Sequence, residues 1–246
     1  MSPILSVFNV KWSEFVNDTT VDSTIQFYIK GIGLLYLIAS IFVLVLSVKS
    51  NKFIKWLIKF IALWQFIVFF LFTKESFFQI GQYLEYSLQL GLPFLLLYYY
   101  SSSFSFKRII VILKWLVGIT FFCHGLYALG FYPVPGNFID MTIAILGISE
   151  DQSRVALLVV GFIDVLILPL LFINKTLKIT AIYAVIWGFL TAFARIIANY
   201  VIDFPLETIH QYGFETVVRL CHGIGPLLLL LWNDKTTFVL NKENRN

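Results

Sequence analysis

Apolar runs of roughly 20 residues recur along nearly the whole chain, the length a helix needs to cross a hydrocarbon core of about 30 Å. Backbone inside such a core must satisfy its own hydrogen bonds, so each run is expected to be helical. Of 246 residues, 59% are hydrophobic and 13% are charged, and no stretch between the runs is long enough for a sizeable soluble domain. The expected fold is all-α: a polytopic membrane helix bundle forming one integral membrane domain over residues 1–246. Seven transmembrane helices are predicted, at about 25–48, 53–72, 77–100, 108–130, 153–173, 177–200 and 213–232. A further apolar piece at about 137–149 follows Pro133-Val134-Pro135-Gly136 and is too short to span. It is predicted to be a half-helix, re-entrant or interfacial, with Asn137 as its cap. Residues 1–24 mix Glu14, Asp18 and Asp22 with Phe8, Trp12 and Phe15. That pattern suits an outer-side interfacial segment and lacks the basic-then-apolar order of a signal peptide.

The net charge of +4 suggests nucleic-acid binding only when its location is ignored. The cations flank the apolar runs, as on a cytoplasmic surface, and no nucleic-acid partner is expected. Alternate connections carry Lys49, Lys52 and Lys55, then Lys107 and Arg108, then Lys175 and Lys178, then Lys235, Lys242 and Arg245. The opposite connections hold mainly acids: Glu75, Asp140, Glu150, Asp151, Asp203 and Glu207. This alternation places the N-terminus outside and the C-terminus in the cytoplasm of a plasma or inner membrane.

Within the apolar runs, polar residues fall on helical stripes. Gly213–Trp232 carries Glu215, Arg219 and His222 at i, i+4, i+7, one face of a helix. Span three carries Gln82, Glu85 and Gln89, span four Thr120, His124 and Tyr127, span six Thr191, Arg195 and Asn199, and span five Asp164. Pro93 and Pro226 each remove the N–H that would bond the carbonyl four residues earlier, at Gln89 and His222. Kinks that open those carbonyls are therefore expected. Ala184, Gly188 and Ala192 repeat every four residues, a pattern that lets a neighbouring helix approach closely.

At about 1.5 Å per residue, Arg195, His124 and Arg219 come out roughly 8–9 Å below the outer ends of their helices. Glu85 and His222 come out near 12–14 Å, and Asp164 near mid-membrane, by the same rise. Ionisable groups on five helices thus fall mostly in one layer. Such groups are costly in lipid and usually face protein or water. A shared, outward-facing polar pocket explains the layering, with Glu85, His124, Arg195, Glu215, Arg219 and His222 as its ligand-binding set and Gln82, Gln89, Tyr127, Asp164 and Asn199 around it. The competing explanation is a set of structural ion pairs, such as Glu85 with Arg219 or Asp164 with Arg195.

Three functions fit. The first is binding or transport of a small anionic or amphipathic molecule, suited to two arginines and two histidines. The second is an intramembrane enzyme or redox protein on the same residues, with haem b held between His124 and His222 as one form of it. The third is a structural or accessory subunit. Besides the lipid bilayer and that small molecule, no partner is named by the sequence. No metal site is expected: Cys123-His124 and Cys221-His222 are adjacent pairs, which point about 100° apart on a helix. Retinal is excluded because Gly213–Trp232 has no lysine. Gly-x-Ser-x-Gly and His-Glu-x-x-His are both missing from the sequence.

Overall fold

In the computed structural model, residues 9, 11–45 and 51–243 are described, and side chains up to 233 apart from that of Val21. The start of the interfacial segment with Phe8, the end of the first predicted span, and the cations Lys49 and Arg245 lie outside the described residues, as do the side chains of Lys235 and Lys242. Eleven helices are described: α1 (Trp12–Asn17), α2 (Thr19–Val45), α3 (Lys52–Glu75), α4 (Ile80–Glu85), α5 (Ser87–Tyr99), α6 (Phe106–Ala128), α7 (Gly136–Leu146), α8 (Glu150–Phe172), α9 (Leu177–Ala198), α10 (Pro205–Arg219) and α11 (Cys221–Glu243). No strand occurs among the described residues, so the protein is all-α.

Six stretches are long and apolar enough to cross a membrane: 22–45, 52–75, 106–128, 150–172, 177–198 and 205–233. This is a helical, multi-pass membrane protein that contacts lipid. The difference from the predicted seven lies at 77–100. That stretch divides into α4 and α5 around Tyr86, and neither piece alone spans. The helix runs on through Pro93 in α5 and through Pro226 in α11. The interruptions fall at Tyr86 and, between α10 and α11, at Leu220.

The chain divides into two compact units, Met1–Ile61 and Ala62–Asn246. In the first, α2 presents apolar side chains almost all round, and Ala39 is the one buried among its described side chains. Phe42 of α2 and Phe53 of α3 stand edge to face at 6.5 Å.

The second unit is a helix bundle. α6 packs against α4, α5, α8 and α11, and α9 packs against α7, α8, α10 and α11. α6 and α8 meet backbone to backbone: a Cβ on Gly125 would overlap the Gly161 carbonyl, and one on Gly118 would overlap Leu168. The small-residue stripe of α9 acts as predicted, with Ala184 and Ala192 fully buried and Gly188 against the backbone of His222 and Gly223. An apolar cluster of Leu95, Ile109, Leu113, Val117, Ile167, Leu171 and Leu229 fills the end where α6 and α9 begin. Ser149 and Gln152 form a capping box at the start of α8, with Gln152 N–H donating to Ser149 Oγ at 3.4 Å. α7 starts at Gly136, so Asn137 lies inside it rather than capping it.

Candidate functional site

Two interrupted helices meet where the polar stripes converge. Glu85 is the last residue of α4 and Arg219 the last of α10, and Arg219 Nη1 donates to Glu85 Oε1 at 2.9 Å. His124 Nδ1, from α6, lies 3.3 Å from the same oxygen. Glu85 is 3% exposed. A carboxylate so deeply withdrawn from water costs several kcal/mol unless paired and hydrogen-bonded, and losing one partner exposes that cost. Its place at a helix C-terminus adds an unfavourable dipole, which makes the guanidinium essential to it.

The interruption at Tyr86 is held by neighbours. Its ring stacks on Phe69 of α3 at 4.1 Å. The Leu88 N–H, left over at the start of α5, donates to Thr120 Oγ1 of α6 at 3.2 Å. Broken helices are tolerated in lipid when side chains re-satisfy the freed backbone in this way.

One turn into α5, Gln89 Nε2 donates to the Val218 carbonyl at 3.4 Å and lies 3.2 Å from His222 Nε2. With the amide assigned as donor, that ring nitrogen is the acceptor. Gln89 Oε1 is buried with no partner among the described residues. The His222 carbonyl, freed by Pro226, lies against Gly188. It meets a packed helix rather than opening onto a cavity, contrary to the sequence expectation.

Arg195 Nε donates to Glu215 Oε2 at 2.8 Å, and Asn199 Nδ2 donates to the Arg195 carbonyl at 2.8 Å. The proposed partnership of Asp164 with Arg195 is therefore corrected. Asp164, 0% exposed, accepts instead from Trp187 Nε1 at 3.2 Å, and its Oδ1 is without a partner among the described residues. Glu215 is 39% exposed on its side chain. A cleft of about 500 Å³ opens between the end of α9 and α10, lined by Asn199, Tyr200, Phe204, Glu207 and Tyr212 among others. α7 covers the other side, its Phe138 ring 4.8 Å from that of His124.

Of the predicted residues, Glu85, His124 and Arg219 share one carboxylate oxygen, Gln89 joins His222, and Glu215 joins Arg195 below Asn199. Gln82 and Tyr127 sit toward the connection before α4: Gln82 Oε1 accepts from Ser76 at 3.5 Å, and Tyr127 donates to Gln79 Oε1 at 2.9 Å. Sequence reasoning passed over Gln79, Phe138 and Trp187, whose only signal was position near a predicted polar layer. His124 Nδ1 and His222 Nε2 are directed at different partners, Glu85 and Gln89, not at a shared axis. Among the described residues, no three His, Cys, Asp or Glu side chains converge as metal ligands would. The chain matches no known family model, no curated protein and no solved structure.

Proposed function

We propose that this protein binds or transports a small amphipathic molecule at the polar end of its second unit, in a plasma or inner membrane with the N-terminus outside and the C-terminus in the cytoplasm. The observation that carries this reading is the coincidence of charge and interruption. The Glu85–Arg219 pair joins the ends of two helices that break at Tyr86 and Leu220. Discontinuous helices beside buried polar groups are how many transporters build a site inside lipid.

The pairing narrows the ligand. Both arginines are already matched by carboxylates, so a free anion would have to displace one. Gln89 Oε1 and Asp164 Oδ1 are acceptors, and they suit a ligand that brings hydrogen-bond donors on an apolar body. The cleft lined by Asn199, Glu207 and Tyr212 is the route of entry in this reading.

Native mass spectrometry of the protein taken from its own membranes tests the proposal. A small-molecule adduct is expected on the wild type and is expected to disappear from Glu85→Gln/Arg219→Gln, which leaves no buried charge unpaired. An adduct unchanged in that folded variant would refute it. For orientation, Asn51→Cys in a background free of Cys123 and Cys221 is expected to escape an impermeant maleimide applied outside cells, while Asp203→Cys is labelled. The reverse pattern would invert the topology.

A further inference from the structure

The end of the second unit opposite the polar network holds a cation with no ion-pair partner among the described residues. Lys114 lies on α6 between Leu113 and Val117, both fully buried, and is itself 9% exposed. Its Nζ stands 5.6 Å from the centroid of the Phe172 ring. Among the described residues, no carboxylate lies within ion-pair distance of it and no acceptor bonds it. A ring face contributes about 0.5–2 kcal/mol to a cation, short of the several kcal/mol that withdrawing an ammonium from water costs. An anion from outside the chain would close that gap.

The same end gathers more positive charge. The antiparallel register that sets Gly125 against Gly161, Gly118 against Leu168 and Trp115 against Phe172 carries Lys107 and Arg108 alongside the turn holding Lys175 and Lys178. All four are exposed, and none has an ion pair among the described residues. Lys114 lies eight residues into α6, about 12 Å from its start. A lysine at that depth reaches toward the interface along its apolar stem. Beside it, Trp115 and Phe172 are 50% and 39% exposed and offer an apolar wall.

We infer that Lys114, with Lys107, Arg108, Lys175 and Lys178, forms a binding site for an anionic phospholipid, whose phosphate sits on the cations and whose acyl chain lies against Trp115 and Phe172. Basic recesses between membrane helices take anionic headgroups on this principle. Inorganic phosphate offers the same charge without the chain, so it matches only half of the site. The inference is independent of the function proposed for the polar end.

The test uses the full chain in phosphatidylcholine nanodiscs at fixed ionic strength, with phosphatidylglycerol added to about one lipid in five. Thermal unfolding and native mass spectrometry are read together. Phosphatidylglycerol is expected to raise Tm and to give lipid adducts that survive delipidation, while inorganic phosphate at equal concentration does neither. Lys114→Met is expected to lose at least fivefold of the adduct population and most of the Tm rise. Lys114→Arg is expected to keep both, which separates lost lipid from a damaged fold. Equal stabilisation by phosphatidylcholine alone, unchanged adducts in Lys114→Met, or full replacement of the lipid by inorganic phosphate would each overturn the site.

Discussion

The two ends of the second unit treat buried charge in opposite ways. At the polar end, Glu85 meets Arg219 and His124, and Arg195 meets Glu215. At the basic end, Lys114 stands among Leu113, Val117 and Phe172, with the face of the Phe172 ring and no carboxylate against its ammonium among the described residues. A pair satisfied inside the chain fixes helices to one another. A cation left for an outside partner fixes nothing until that partner arrives. The first arrangement also explains where the backbone can break. α4 and α10 end at the paired residues, and the ion pair replaces the continuity that an unbroken helix would supply. The apolar end has no such clasp, and there α6, α8 and α9 run without interruption.

The sharpest way to break this contrast is Arg219→Ala, which strands the Glu85 carboxylate. A loss of about 3–5 kcal/mol is expected in reversible unfolding from lipid–detergent mixtures, against a small change for Glu215→Gln, whose side chain is 39% exposed. Next comes the apolar end. Leu113 is fully buried, and Leu113→Ala is expected to cost about 2 kcal/mol by the same assay. This is the low end of the range for core truncation, because lipid solvates apolar surface that water would not. Thr120→Val removes the acceptor of the Leu88 N–H and is expected to cost about 1–2 kcal/mol. Faster hydrogen exchange at the Leu88 amide would report it, and Thr120→Ser would restore protection. The smallest effect is expected from Arg154→Gln. It deletes an exposed i, i+4 pair with Glu150, worth about 0.3–0.5 kcal/mol, and thermal unfolding should scarcely register it.

Much of this was legible in the sequence because lipid leaves the backbone few options. Apolar length alone located α3, α6, α8 and α9 to within a few residues. The helical spacing also grouped Glu85, His124, Arg195, Arg219 and His222 in one predicted layer, and Glu85 does meet His124 and Arg219. Azimuth did not follow. Depth alone allowed Asp164 to be matched with Arg195, whereas rotation about the helix axes turns Asp164 to Trp187 and Arg195 to Glu215. The interruption at Tyr86 was not legible either. Proline marks a missing N–H, yet Pro93 and Pro226 both lie inside helices, α5 and α11. The break at Tyr86 is set by Phe69, Thr120 and Arg219, partners far along the chain that no local pattern announces. Trp187 and Phe138 looked like ordinary apolar residues, and only the fold reveals the one as a donor to Asp164 and the other as the cover on His124.

The central claim is that Glu85 and Arg219 act as one unit that holds two broken helices together. A double-mutant cycle over Glu85→Gln and Arg219→Gln, read as unfolding free energy in a lipid bilayer, tests it most directly. A coupling of about 2 kcal/mol is expected, with the double variant more stable than the sum of the single losses implies. Additivity within about 0.5 kcal/mol would contradict the claim, and the polar end would then be no more than charges that happen to share a depth.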